Sequence, residues 1–242
     1  MSYTKIIQEL KTYSDKTRAK NALWFFKTGP GEYGEGDKFI GVTGPTLRQI
    51  AKKYKDVNLS VVQKLLDSPI HEYRQTAVLI LVYKYEAITK EKKKTRFIAP
   101  QQEIYNLYIK NTSRVNNWDL VDISAPQVVG IYLFDRPKKK KILYTFARSK
   151  NLWKKRIAII STFAFIRRND FKDALAISKI LLNDTHDLIH KAVGWMLREV
   201  GNRDLRIEEQ FLKKYYKTMP RTMLRYAIEK FDEKKRKWYL DK

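Results

Sequence analysis

The chain has 242 residues, 43% apolar and 13% aromatic, which suffices for a folded core, and 50 Lys and Arg against 26 Asp and Glu give it a formal charge of +24. Such a field draws polyphosphates or anionic membranes, but no segment approaches the roughly 18 apolar residues of a membrane span, and the cations spread from Lys5 to Lys242 instead of crowding one amphipathic helix. With no cysteine and three histidines, disulfides, thiolate catalysis and cysteine-ligated zinc are excluded, leaving carboxylates, tryptophans and cations for any chemistry.

Met1-Ser2-Tyr3-Thr4-Lys5 lacks the basic-then-apolar layout of a signal peptide, so a cytoplasmic protein with no membrane partner is expected. Beyond it the periodicity is helical, with no convincing strand. Residues 28–46 interrupt it, holding six of the nine glycines with Pro30 and Pro45. This stretch lacks the strand-turn-helix setting and following lysine of a nucleotide loop, so it reads as an ordered loop between helices, with Pro45 opening the next one. Ser60 with Gln63 reads as a capping box, Ser68-Pro69 as a helix start with proline in first position, and Asp184-Thr185 as the cap of the helix carrying Trp195. The lysine-rich runs Lys90 to Lys94, Lys138 to Lys141 and Lys234 to Lys237 read, taken singly, as solvated surface.

Around Ala77, Ala158, Ala192 and Ala227 a cation stands one to three residues before an alanine in an apolar helix, and the last three alanines are 34 and 35 residues apart. A period of roughly 34 to 47 residues marks an all-α solenoid of the HEAT or tetratricopeptide kind, with the alanines where helices approach closely. The expected architecture is one HEAT-like repeat domain over residues 1–242, with the Gly/Pro-rich loop at about 28–46 and a short basic tail at about 232–242.

Two tryptophan segments stand out. In Lys191-Ala192-Val193-Gly194-Trp195-Met196-Leu197-Arg198-Glu199, the residues Ala192, Val193, Met196, Leu197 and Val200 form one apolar stripe, while Trp195 falls off it toward Lys191 and Arg198. The alternative is that Trp195 packs against a neighbouring repeat. In Asn116-Asn117-Trp118-Asp119-Leu120-Val121-Asp122, Trp118 and Asp122 are four apart and share a face, an exposed indole beside a carboxylate. Pro126 would press on the Asp122 carbonyl of a continuous helix, so a kink or helix end should fall beside that carboxylate. Asp119, and as an alternative Asp122, reads as a surface anion paired with a lysine.

Trp118-Asp119-Leu120-Val121-Asp122 with Pro126, then Leu152-Trp153-Lys154-Lys155-Arg156-Ile157-Ala158, then Lys191 to Glu199, preceded by Gly41-Val42, Pro45 and Leu47-Arg48, resembles the AlkD family of DNA alkylation-repair glycosylases. Four motifs in the same order cover most of the chain. The resemblance implies a HEAT-like solenoid with a basic concave groove, and cofactor-free, metal-free excision of cationic N3- or N7-alkylated purines from double-stranded DNA. It makes Asp122 the catalytic carboxylate, Trp118 and Trp195 aromatic walls at the lesion, and Arg156 a phosphate contact, with Lys191 and Arg198 gripping the backbone. Trp24 lies where the family has an aromatic residue. Asn117 departs from members that carry a second tryptophan, and Gly29 to Gly36 resembles an insertion.

Two rivals stand beside this reading. A basic helical-repeat protein that binds DNA without catalysis explains charge and repeats equally well, but not why Trp118, Asp122 and Trp195 all lie off the apolar stripes. A metal-dependent nuclease would use His186 and His190, four apart, yet no third ligand is evident nearby and capping or surface roles fit them better. The expected state is a monomer.

Overall fold

The computed structural model describes residues 2–90 and 98–241, so all but the first residue of the Lys90 to Lys94 run, and Lys242 of the tail, lie outside the described residues. They are helical almost throughout, and the only pairing of extended backbone among them is an isolated bridge between Lys38 and Ile70. The chain forms two compact units, Met1–Val128 and Val129–Lys242.

The first unit contains α1 (Ser2–Thr12), α2 (Lys16–Phe25), α3 (Gly44–Lys53), α4 (Leu59–Leu66), α5 (His71–Lys90), α6 (Ile98–Lys110) and α7 (Trp118–Ser124). α5 is its axis. Thr76-Ala77-Val78-Leu79-Ile80-Leu81-Val82 is apolar on almost every face, as a helix surrounded by others must be, and α3, α4, α6 and α7 pack on it. Pro45 sits in the first turn of α3 as expected. The loop between α2 and α3 is ordered, and its exit is fixed by Glu72, whose buried carboxylate accepts from Ile40 N at 3.0 Å and Gly41 N at 2.7 Å. Gly41 has φ +79, and a Cβ there would lie 2.1 Å from the Asp15 carbonyl oxygen, so only glycine lets this strip reach the start of α2.

Two helix starts of the first unit differ from the sequence reading. α4 begins at Leu59 with Asn58 as N-cap, which places Ser60 inside the helix, while Gln63 turns sideways to hydrogen-bond Asn111 and Asp67. Pro69 is not the first residue of α5. It lies in the turn before it, where its carbonyl accepts from Lys38 N and the Ser68 hydroxyl accepts from Ile70 N. In both cases a contact from a distant segment outweighs the local capping signal.

After α7 the chain makes a π-helical turn, Ala125–Gly130, that ends the first unit and begins the second. The second unit continues with α8 (Ile131–Phe134), α9 (Lys141–Ala147), α10 (Leu152–Ser161), α11 (Phe163–Ile166), α12 (Lys172–Ile180), α13 (Asp187–Gly201), α14 (Leu205–Tyr215), α15 (Arg221–Ala227) and α16 (Glu233–Leu240). α13 is the axis here, touching α10, α11, α12, α14 and α15. Its predicted stripe, Ala192, Val193, Met196, Leu197 and Val200, is fully buried. Gly194 on that face allows α15 to come close, since a Cβ would stand 2.4 Å from the Met223 carbonyl oxygen. Ala77, Ala158, Ala192 and Ala227 are all fully buried. The cap of α13 is His186, whose Nδ1 accepts from Leu188 N; Asp184, expected as the cap, instead accepts from His186 N. Lys140 departs from its solvated neighbours in the Lys138 to Lys141 run, pairing with Asp173 at 2.8 Å and Asp170 at 3.3 Å.

Glu208 on α14 is 1% exposed, and its Oε1 has no hydrogen-bond partner among the described residues. Burial first, and then the charge of Glu209, raise its pKa to about 8 against the pull of Arg198. A folded-state pKa above the unfolded 4.5 contributes stability that is complete below the unfolded value and is lost as pH rises through about 8. Thermal melts across that window should show declining stability for the wild type, while Glu208→Gln melts on the order of several degrees higher at the alkaline end and much the same at the acid end.

Candidate functional site

The candidate residues divide between the units: Trp24, Trp118 and Asp122 in the first, Arg156, Lys191, Trp195 and Arg198 in the second.

In the first unit the site begins at Asn117. Its side chain is fully buried, caps α7 by accepting from Trp118 N at 2.8 Å, and donates to Asp37 Oδ2 at 3.2 Å. A tryptophan in this place could not cap, since its one polar group is an N–H donor with no acceptor for Trp118 N, which is the local consequence of the departure seen in the sequence. Asp119, one residue into the helix, is 8% exposed. The surface pairing with a lysine expected for it does not form: its Oδ2 meets His71 Nε2 at 2.8 Å, and its Oδ1 accepts from Leu120 N at 2.8 Å. The other imidazole nitrogen, Nδ1, meets Asp37 Oδ2 at 3.1 Å, and Asp37 Oδ1 accepts from Arg74 at 2.5 Å. Two acids and two cations are thereby buried as one neutral group.

The electrostatics follow from that arrangement. Burial opposes charge on His71, but Asp119 and Asp37 outweigh it and raise its pKa to about 9. Burial alone would raise Asp37, yet His71, Arg74 and Asn117 hold it below the usual carboxylate range. Above the His71 imidazolium lies an aromatic pile. Phe39 and Phe26 stand 4.8 and 4.9 Å from the imidazole, Phe26 stacks on Phe39 at 5.1 Å, and Trp118 stacks on Phe26 at 5.6 Å and 28°. Phe25 approaches Trp118 edge-on at 6.0 Å. A buried cation against ring faces is favourable, so the charge network and the pile support each other. Trp118 is therefore half-buried, and not the freely exposed indole of the sequence reading.

Asp122 stands one turn beyond Trp118 and is half-buried. Its negative charge is close enough to add to the upward shift of the Tyr108 hydroxyl, which burial drives and the Ser124 hydrogen bond opposes. Pro126 has no N–H for the Asp122 carbonyl, and α7 gives way to the π turn from Ala125 onward. The helix end expected beside the carboxylate is there. Nearby, α2 buries none of its residues, and Trp24 is 84% exposed with Phe25 at 56%.

In the second unit Trp195 leaves the apolar stripe as expected. It is half-buried, donates Nε1–H to Glu199 at 3.0 Å, and lies 5.8 Å from Phe163, whose other neighbour is the Arg167 guanidinium at 4.1 Å. Arg156 is 5% exposed and donates to the Leu188 carbonyl at 2.5 Å, tying α10 to the first turn of α13. Lys191 pairs with Asp187 at 2.7 Å, and Arg198 with Glu229. His186 and His190 serve α13 itself, the first as cap and the second by donating to the Asp184 carbonyl. No group of three potential metal ligands occurs among the described residues.

His71, Asp37, Phe26 and Phe39 were not marked by the sequence pattern, and Arg74 was marked only as the cation before Ala77. The available signal was His71-Glu72-Tyr73-Arg74, four charged or titratable residues heading the helix just before its apolar run Ala77 to Val82.

A family model described as DNA alkylation repair enzyme matches residues 6–231. A predicted DNA alkylation repair enzyme from Enterococcus faecalis has the same fold, with a TM-score of 0.67 at 14% identity over 91% of this chain and 97% of that one. AlkD2 from Streptococcus mutans superposes with a TM-score of 0.56 at 17% identity over 96% of this chain and 98% of that one. No curated protein matches by sequence.

His71 and His186 should titrate apart by NMR. The His71 ring stays protonated through neutral pH and loses its proton near pH 9, whereas burial holds His186 below the usual 6.5. Because the His71 pKa is raised on folding, its stabilisation is complete below 6.5 and is lost as pH climbs through about 9. Asp119→Asn, which leaves the imidazolium short of one buried partner, should cost about 3 kcal/mol in chemical denaturation.

Proposed function

Because the chain belongs to the DNA alkylation repair enzyme family, we propose that it is a DNA glycosylase of base excision repair. It hydrolyses the N-glycosidic bond of cationic N3- or N7-alkylated purines in duplex DNA, acting as a cytoplasmic monomer without metal or cofactor. The observation that carries this reading is the Trp118–Asp122 pair, an aromatic face and a carboxylate one turn apart, on a helix anchored at its start and turned at its end.

Alkylation at N7 or N3 makes the purine cationic and a good leaving group. Cleavage then develops positive charge on the deoxyribose, as in glycoside hydrolysis. The Asp122 carboxylate stabilises that charge and orients the attacking water, and electrostatics of this kind are worth about 3 kcal/mol. The Trp118 face, backed by Phe26, favours a cationic base by roughly 0.5 to 2 kcal/mol over a neutral one. Trp195 and Trp24 supply further aromatic surface to the DNA. Phosphates are held by the surplus of lysine and arginine, with Lys191 more accessible than Arg156 and Arg198 at 39% side-chain exposure against 18% for Arg198. Arg156, which also donates to the Leu188 carbonyl, is the proposed phosphate contact beside the lesion.

The test is release of free base from duplex DNA carrying N7-methylguanine, in chelator, with wild type and variants side by side. Asp122→Asn should slow release by about 10² to 10³-fold with binding retained, and Trp118→Ala by roughly 2- to 30-fold. Wild-type protein that binds this DNA with steep salt dependence but releases no base would overturn the enzymatic reading in favour of a non-catalytic DNA-binding repeat protein.

A further inference from the structure

The family match ends at residue 231, and α16 lies beyond it. What α16 displays is therefore not accounted for by the family's shared chemistry. Trp238, near its end, is 57% exposed. Its indole stacks on Tyr216 of the segment after α14, 5.4 Å away and 25° from parallel, and Tyr239 abuts it edge-on at 4.8 Å. Tyr239 itself is 2% exposed and is wedged between Tyr216 and Phe231. With Asp232 capping the helix and Lys235 paired to Glu209 of α14, α16 is a firmly seated helix that holds a large aromatic face toward solvent.

Trp238 also borders two hollows. One, about 610 Å³, is lined by Tyr216, Lys217, Trp238 and Asp241. The other, about 430 Å³, has Lys213, Lys234 and Lys235 beside Trp238. The two acids of this second hollow are already engaged, Glu209 by Lys235 and Asp232 by the α16 backbone. Lys213, Lys217 and Lys234 are exposed, and none forms an ion pair with another described residue. A flat aromatic face between lysine-lined hollows fits a ligand that is itself a flat ring between phosphates.

We propose that Trp238, backed by Tyr216 and flanked by Lys213, Lys217 and Lys234, is a second DNA site, which stacks an unpaired base of single-stranded DNA and holds its adjoining phosphates. A paired base has both faces covered within the duplex, so the exposed indole face selects an unstacked one. Asp241, at the rim of the larger hollow, accepts from a base N–H edge. The site is independent of the glycosidic chemistry assigned to Asp122.

The experiment compares binding of oligothymidylate with that of an abasic oligomer of equal length, by fluorescence anisotropy at several salt concentrations. The abasic oligomer offers the phosphates without the bases. Wild type should prefer oligothymidylate by about tenfold. Trp238→Ala should bind the abasic oligomer as wild type does and lose that preference, with release of alkylated base from duplex DNA unchanged. Trp238→Leu, which keeps apolar cover over Tyr216, should behave likewise and is the variant to read if the alanine protein fails to fold. Lys213→Gln with Lys234→Gln should weaken both oligomers alike and lower the salt slope by about 2. Equal wild-type affinity for the two oligomers, or a preference that survives removal of the indole, would overturn the proposal whatever becomes of the glycosylase reading.

Discussion

Four buried charges beneath Trp118 are the constraint on which the first unit's site depends. Asp37 comes from the loop after α2, His71 and Arg74 from the start of α5, and Asp119 from the first turn of α7. Each alone would be costly to bury, and together they sum to zero with nearly every polar atom partnered. The group can form only when loop, α5 and α7 stand in one arrangement. Asn117, which caps α7 and reaches Asp37, fixes the helix start to the same point. The aromatic pile continues the constraint outward, from imidazolium through Phe39 and Phe26 to Trp118. The indole is thus held from below by rings and a cation.

Asp122 is placed by a different device. Its helix ends two residues later, at Ser124, because Pro126 cannot donate to the Asp122 carbonyl, and the π turn from Ala125 absorbs the misfit. The catalytic assignment therefore rests on a helix fixed at its start by buried charge and at its end by a missing hydrogen bond.

The cations of this chain serve more than one purpose. Arg74, Lys140 and Arg156 are drawn into the protein, where they join segments far apart in sequence. Others stay at the surface and provide the field that attracts DNA. The lysines around Trp238 belong to the second kind, yet there the charge is combined with a rigid aromatic platform on a helix outside the family match. General attraction and a defined stacking site can then coexist on one basic protein, the first salt-dependent throughout and the second sensitive to the presence of a base.

The amino-acid sequence by itself determined the all-α fold, the off-stripe position of Trp195, the sharing of a face by Trp118 and Asp122, and the break at Pro126. These are properties of helical geometry and of proline, which act over a few residues and need no partner. It also carried the family resemblance, because four motifs keep their order along the chain. The tertiary structure alone decided that Asp119 is buried against His71 and not paired with a lysine, and that Arg156 donates to Leu188. It likewise moved the starts of α4 and α5 away from their local capping signals. Each of these depends on a residue some 30 or more positions away, as with His71 and Asp119, Arg156 and Leu188, or Lys38 and Pro69. The energy of burying a charge is settled by what stands opposite it, and a linear pattern does not contain that information.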